Sequence, residues 1–577
     1  MAVKEDIYDP LNEYINVFRD RFRKVAADTF AQLAQEANVD VKANRKTCDE
    51  MYQLMSELDE VNSNLRKWKW IRALFIFVVL ACIVVAIHQW DNMTPDLAVI
   101  LGVTVAASLI FLVAKVESKI DQHKDESHDL RYHVRQLREE AWKQMQPLNR
   151  LYDWDVLTRM MSATVPRLEF DPYFTTQRLA DLEHTYGWTG SFNVNRSVVY
   201  SHSGLINGNP FVICRTKKMI MGAKTYEGTK SISWTTTERG SDGKMHTVRH
   251  YETLVAQVTA PYPEYYAKTR LIYGNTAAPD LIFYRRKSGL ADKEGSLSYK
   301  WKRHKLRNKA RNLSNADFAM MTNEEFEVAF DTSNRNNNQQ FALLFTPLAQ
   351  ESMLNLLKDN TTGYGDDFDF QKHKMINTIV PDHMQEIDLD MNPQQYRSFD
   401  FKVARTQFCD VNARYFRAIY FALAPLLCVP MYQQIRPAHD IYGIDMPRQS
   451  SFWEHEALAN FWGNKHFKHP ECVTDCILKT KVHRSKGEKA RITVFAHGYR
   501  VEKRLTFVEK MGGDGRYHKV PVYWNEYLPV TGTGEIEIKE DNAEDEFPTQ
   551  TDRLNHINEV LNEGSMTSYR RHIASGV

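Results

Sequence analysis

Two uncharged apolar runs near the N-terminus constrain this chain more than any other feature: residues 73–87 (ALFIFVVLACIVVAI) and 97–113 (LAVILGVTVAASLIFLV). Each falls slightly short of the roughly 20 residues that cross a bilayer at about 1.5 Å per residue. Their flanks supply the rest. Trp68, Trp70 and Trp90 suit the two interfaces, and Arg72 can reach outward from a helix end. Only HQWDNMTPD separates the runs, so a transmembrane helical hairpin is expected. Arg66, Lys67, Lys69 and Arg72 precede the first run, Lys115, Lys119 and Lys124 follow the second, and the connection holds no Lys or Arg. The positive-inside rule then places both termini in the cytoplasm and makes this a two-span protein of the cell (inner) membrane. A helical hairpin buried in a soluble core is the alternative, which these flanks disfavour.

The rest of the chain reads as soluble. Mean hydropathy is −0.50, so the hairpin is an anchor on a mostly cytoplasmic protein. At 577 residues there is room for two or three domains, and a net charge of +1 provides no field to attract nucleic acid. Seven scattered Cys suit free thiols in a reducing compartment better than a disulfide scaffold. The polar start MAVKEDIYDPLNEY argues against a cleaved signal peptide.

Residues 1–68 are expected to be helical. Ile7, Leu11, Ile15, Phe18, Phe22 and Val25 recur at steps of three and four, as do Met51, Leu54, Leu58, Val61 and Leu65, with a polar break near 38–47. Beyond the membrane hairpin (69–114), a returning helix over 115–160 carries Leu130, Val134, Leu137, Ala141, Leu148 and Leu151. The hairpin brings both helices out side by side. Their stripes either zip into an antiparallel coiled coil or pack separately on the soluble part.

From about residue 165 Gly, Pro, Tyr, Thr and Val become common. SVVYSHSGLINGNPFVICRTKKMI and YETLVAQVTA read as strands, with Gly240-Ser241-Asp242-Gly243 as a hairpin turn between two runs. EFEVAFDTS and QQFALLFTPL read as two further strands around the Asn-rich NRNNN, followed by a helix, AQESMLNLLKD. In the second half CILKTKVHRS, KARITVFAHGYRV, KRLTFVEKM and KVPVYW alternate as antiparallel strands, with Gly512-Gly513-Asp514-Gly515 as a turn. Residues 413–432 are apolar but carry Arg414, Arg417, Pro425 and Pro430, which favours a buried or interfacial helix over a third span. The expected class is α+β: N-terminal coiled-coil-like helices with a two-helix transmembrane hairpin, then β-rich antiparallel cytoplasmic domains over 165–390 and 395–540. An acidic linker and a terminal helix are expected over 541–577.

The run Phe326-Glu327-Val328, Asp331, then Leu343-Leu344-Phe345-Thr346-Pro347 and its helix resembles bacterial membrane proteins that carry the domain of unknown function 3137. Residues 1–380 share that family's order of N-terminal helix, membrane hairpin and β-rich domain. Phe345 stands where the family pattern has Leu, and the Asn-rich turn is long. The resemblance implies a fold and a membrane location, and no catalytic residues.

Chemical motifs are weak. His466, His469, Cys472 and Cys476 are the residue types of a zinc site. The run leads into an expected strand, on which the two Cys share a face about 13 Å apart, too far for one metal, so packed residues are expected. GYGDDFD at 363–369 lacks the ligand order of a calcium loop. Ser201-His202-Ser203 shows neither an orienting acid nor an oxyanion hole. No Walker A loop, G-x-S-x-G elbow or H-E-x-x-H occurs, so no catalytic, cofactor-binding or metal residue is assigned.

Two features remain. Lys300, Trp301, Lys302, Arg303, Lys305, Arg307, Lys309 and Arg311 form a basic, acid-free stretch suited to an anionic leaflet, with a solvated face or RNA contact as alternatives. Ala98, Gly102 and Ala106 make a small-residue stripe for helix packing, against either the first span or a second copy in a homo-oligomer. A membrane-anchored scaffold that binds the lipid bilayer and a protein partner fits best. A membrane-bound enzyme, or a subunit of an oligomeric channel or transport assembly, is the alternative.

Overall fold

The computed structural model describes residues 7–88, 94–189, 195–239, 244–311, 319–434, 436, 449–486, 489–540 and 566–576. They fall into two compact units, one of Ala27–Tyr152 and Pro393–Asp410, the other of Met1–Ala26, Asp153–Asn392 and Val411–Val577. The class is α+β, with two long apolar helices and antiparallel sheets.

The smaller unit is built on the helices Val41–His88, Pro95–Phe111 and Ser118–Leu151, the last two joined by a π-helical turn, Leu112–Glu117. Two of these helical stretches hold a window long and apolar enough to cross a membrane, and no part of the first window is buried. Thr47 meets Gln144 (3.0 Å), Asn62 meets Ser127 (3.0 Å) and Arg72 meets Glu117 (3.5 Å). Numbers rise on one side as they fall on the other, so the long helices run antiparallel. Leu65, Trp68, Ile71 and Phe75 pack on Leu112, Val116 and Ile120 next to the apolar windows. The helical break expected over 38–47 is shorter. Helix resumes at Val41 because Asp40 caps it, accepting from the backbone N–H of Lys42 (3.0 Å) and Ala43 (2.9 Å). At the other end, Asn44 receives the Phe401 N–H (3.0 Å) and donates to the Phe399 carbonyl (2.9 Å), while the Tyr52 hydroxyl donates to Asp400 (3.0 Å).

The larger unit holds two antiparallel sheets. The first contains β1 (Leu168–Phe170), β2 (Arg196–Ile206), β3 (Asn209–Arg239), β4 (Met245–Gly274), β5 (Ile282–Arg285), β6 (Thr332–Ser333), β7 (Phe368–His373) and β8 (Ile376–Pro381), ordered β1-β2-β3-β4-β8-β7-β5-β6. The second contains β9 (Ile477–Lys486), β10 (Lys489–Met511), β11 (Tyr517–Glu540), β12 (Met566–Tyr569) and β13 (His572–Gly576), ordered β12-β13-β11-β10-β9. The helix Phe452–Trp462 brings Trp453, Ala457 and Leu458 to a core shared with Val198 and Val212 of the first sheet and Val494 and Ile538 of the second. The Gly512–Gly515 turn closes β10–β11 through bonds from Gly512 N to Arg516 O and Gly515 N to Gly512 O, both 2.9 Å, with Gly515 at φ 74°. The turn at Gly240-Ser241-Asp242-Gly243 lies outside the described residues. So do residues 541–565, which hold the expected acidic linker and the terminal helix DRLNHINEVLNE, whereas β12 and β13 lie within 566–576.

Two further expectations change, and the buried helix expected within 413–432 is present. EFEVAF and QQFALL are helices, Glu324–Phe330 and Asn338–Leu344, and not strands. Asn323 caps the first by accepting from Phe326 N (3.1 Å), and Asn337 caps the second through Gln340 N (3.0 Å). Residues 413–432 fall largely in the helix Phe401–Leu427, whose later turns are core: Phe22 stacks on Phe416 at 4.2 Å, and the Tyr420 hydroxyl donates to the Pro10 carbonyl (2.8 Å).

Candidate functional site

The basic stretch lies on the helix Leu297–Arg311. Tyr299 and Leu306, seven residues apart, are its buried stripe and pack on Val328, Leu290 and Met320. Two of its cations are tied down within the unit: Lys302 pairs with Asp331 (2.7 Å), and Arg307 grips Glu324 with two bonds (2.8 and 2.6 Å). The hydrogen bonds of that grip push the Arg307 guanidinium up and the Glu324 carboxyl down. Lys300, Lys305, Lys309 and Arg311 are exposed and Arg303 is half-buried. Trp301 is exposed, with the Lys305 ammonium 5.3 Å from its ring centre. The structure therefore places Lys302 and Arg307 in ion pairs and turns Lys300, Lys305 and Arg311 outward near the Trp301 indole.

Beneath this helix sits the run that carried the family resemblance. Phe326 and Phe330 stack at 5.0 Å and join Phe341 and Phe345 in one aromatic core. Glu327 and Arg335 form a buried ion pair (3.1 Å), and the Arg335 guanidinium lies 4.2 Å from the Phe341 ring centre. Asp331 ends its helix in the left-handed conformation, φ 44°. Thr346 caps the next helix, Pro347–Lys358, through Ala349 N (3.4 Å), with Pro347 at its start. The motif residues thus have packing or capping roles, except Leu343, which is 61% exposed. A cleft of about 810 Å³ opens between these helices, lined by Met320, Asn323, Glu325, Gln350, Glu351 and Lys358 among others. The hydrogen bond from Lys358 to Glu325 raises the Lys358 ammonium above its usual range. The cleft lining mixes apolar side chains such as Met320, Phe345 and Leu354 with these polar groups.

The small-residue stripe is exposed at Ala98, Gly102 and Ala106, and a Cβ placed on Gly102 would meet nothing within 4 Å. It does not face the first apolar helix; Ser108 and Leu112, on another face, are the buried positions.

The other chemical candidates dissolve into structure. Cys472 and Cys476 sit in a turn before β9, not on a strand, which brings their sulfurs to 3.7 Å. His469 Nδ1 instead accepts from Glu471 N (3.2 Å), and His466 Nδ1 faces the Gly463 carbonyl (3.3 Å). No group of three metal-ligating side chains occurs among the described residues. The acids of 363–369 serve internal partners: Asp366 takes Arg285, Asp367 takes His383 (2.6 Å) and Asp369 takes the Tyr284 hydroxyl (3.2 Å).

Ser201, His202 and Ser203 lie on β2 and are buried. Ser203 donates to Asp171 (2.6 Å), His202 Nε2 contacts the Asp171 carbonyl (3.1 Å), and Ser201 donates to Glu454 (3.4 Å). Glu454 also pairs with Arg570 (3.3 Å) and accepts from Phe174 N (3.4 Å). This buried network was not visible in the sequence, since Glu454 and Arg570 are 116 residues apart. Burial drives the imidazole of His455 down to about 4 and that of His572 down to about 3, and holds His202 well below its usual range.

An acid limb follows. In the unfolded chain these imidazoles titrate near 6.5, so below that pH the unfolded state takes up protons that the folded state refuses. Their contribution is fully present above pH 6.5 and is lost as pH falls toward 4. From pH 7 to 5 each of His455 and His572 should remove about 2 kcal/mol. Glu454, raised by burial, acts with the opposite sign, so the difference between chains is the measurement. Denaturant midpoints should show His572→Leu losing about 2 kcal/mol less than wild type over that interval. Parallel losses would sink the assignment.

Comparison with models of protein families, with curated proteins and with solved structures finds no match.

Proposed function

We propose that this chain is a scaffold anchored in a bacterial inner membrane by two spans, with its β-rich unit in the cytoplasm binding a protein partner at the leaflet. One observation carries this. The two apolar helices leave large side chains uncovered, among them Phe77 and Ile87 (69% each), Ile110 (68%) and Val113 (73%). Water does not tolerate such a continuous apolar surface, and a bilayer requires it. Basic residues crowd the open ends of the two helices, Arg66–Arg72 on one side and Lys115–Lys124 on the other, which supports cytoplasmic termini. The antiparallel helices below the spans read as a coiled-coil stalk. The resemblance to the domain of unknown function 3137 points the same way. The outward basic face at Lys300, Trp301, Lys305 and Arg311 would then rest on anionic headgroups, each charge worth about 1 kcal/mol near the surface.

Two measurements test this. In intact cells an impermeant thiol reagent should label a cysteine at Asn92 and spare one at Asp125; the reverse pattern would overturn the topology. For the basic face, hydrogen exchange of the full chain in nanodiscs should slow over residues 297–311 in anionic relative to neutral lipid. Changing Lys300, Lys305 and Arg311 to Gln should abolish that difference. Equal exchange in both lipids leaves the helix as a solvated surface.

A further inference from the structure

We propose that the outer face of the β10–β11 hairpin is a self-association surface that seats a second copy of this chain. The inference does not depend on the membrane reading.

The β3–β4 ladder runs unbroken from Phe211↔Tyr273 to Arg239↔Met245, and the β10–β11 ladder from Lys489↔Lys539 to Met511↔Tyr517. Their neighbours are much shorter. β9 covers β10 only as far as His497, and β13 covers β11 only over Ile536–Glu540. Past those points the two hairpins pack face to face through Leu254, Ala256, Val520 and Val522. They approach closely: a Cβ on Gly228 would stand 2.0 Å from the Pro521 carbonyl oxygen. Over Leu505–Met511 and Tyr517–Tyr523 one face of β10–β11 is thereby used and the other lies open; nearer the base, Tyr527 of that outer face meets Tyr262 (5.3 Å).

Side chains alternate along a strand, so directly paired residues share a face. Leu505↔Tyr523, Phe507↔Pro521, Glu509↔Lys519 and Met511↔Tyr517 are such pairs, all on the face opposite Val520 and Val522. Leu505, Phe507, Met511, Tyr517 and Tyr523 are 45–71% exposed. Large side chains carry roughly 150–250 Å² each, so the uncovered apolar area is on the order of 500 Å² per copy. That is near the upper end of what a typical monomer shows, about 300–600 Å². Two such faces together bury about 1,000 Å², where specific interfaces begin. Tyr, Phe and Met are the types enriched in interface cores.

Charge selects the occupant. The only full charges in these four rows are Glu509 and Lys519, directly opposite each other. A two-fold axis lying in the interface along the strands places Glu509 of one copy against Lys519 of the other, twice. The face is therefore complementary to itself, as an isologous contact requires, and two twisted sheets pack well when nearly aligned.

The test is light scattering of the detergent-solubilised full chain, with detergent mass subtracted, over a concentration series. Wild type should approach twice its 67.2 kDa. Phe507→Asp with Tyr523→Asp should weaken association at least a hundredfold, with circular dichroism and melting unchanged because both side chains point outward. Glu509→Lys alone and Lys519→Glu alone should each weaken it, and the double exchange should restore it. A wild-type chain monomeric throughout overturns the proposal. So does a dimer indifferent to the Asp variants, which belongs to another surface, and so does a double exchange that fails to rescue.

Discussion

Glu454→Ala should destabilise the larger unit by about 3–5 kcal/mol, because it strands the Arg570 guanidinium in the core without its counter-ion. Arg570 is 6% exposed and lies over the Tyr200 and Tyr569 rings, 4.9 and 5.1 Å from their centres. No solvent waits to replace the carboxylate. The same logic predicts that Glu454→Leu with Arg570→Met recovers most of the loss, since a buried pair replaced by apolar groups is often neutral. Denaturant midpoints of the three chains decide it. A single variant within about 1 kcal/mol of wild type would show that the pair matters little to the fold.

Arg285→Ala should cost about as much, again 3–5 kcal/mol. This side chain is fully buried at the end of β5. It reaches Asp366, the Phe368 carbonyl and the Phe330 carbonyl (3.2 Å), with the Phe368 ring centre 4.4 Å from its guanidinium carbon. Asp366 keeps other donors, Ser288 N (2.8 Å) and Gly289 N (2.7 Å). The loss therefore falls on the two carbonyls and on the cavity left behind. Arg285→Lys should rescue less than half, because one ammonium cannot span three acceptors held in a plane. Full rescue by Lys would mean that charge alone matters at this site. Both variants should raise protease sensitivity around residues 319–358, which pack over the same aromatic core.

The apolar helices were legible because hydropathy is a local property. The strands were legible only in pieces, because alternation is local too: KARITVFAHGYRV and KRLTFVEKM are one strand, Lys489–Met511, and KVPVYW is part of Tyr517–Glu540. EFEVAF was misread because all five residues from Phe326 to Phe330 are buried. A helix buried all round has no amphipathic period, and its aromatic and β-branched content imitates a strand. The cues that settle it are the side-chain oxygens of Asn323 and Asn337, one residue ahead of each helix. Strand alternation puts Cys472 and Cys476 too far apart because these residues form a turn ahead of β9. Within the basic helix, sequence named all the charges but not which of them have partners. Asp331 and Glu324 lie 29 and 17 residues beyond the cations they bind. Glu454, Arg570 and His572 carried no sequence signal, since they meet only through the tertiary fold.

The strand order β12-β13-β11-β10-β9 has a consequence for synthesis. β13 hydrogen-bonds to β11 over Ile536–Glu540, and Tyr569 and Ala574 belong to the same core as Trp453 and Val198. Nothing translated before residue 566 can complete that core. The apolar helices leave the ribosome hundreds of residues earlier. Until β13 is made, β11 lacks its partner over Ile536–Glu540 and the core lacks Tyr569 and Ala574. A stop codon ahead of β12 should therefore yield an aggregating product, not a trimmed one.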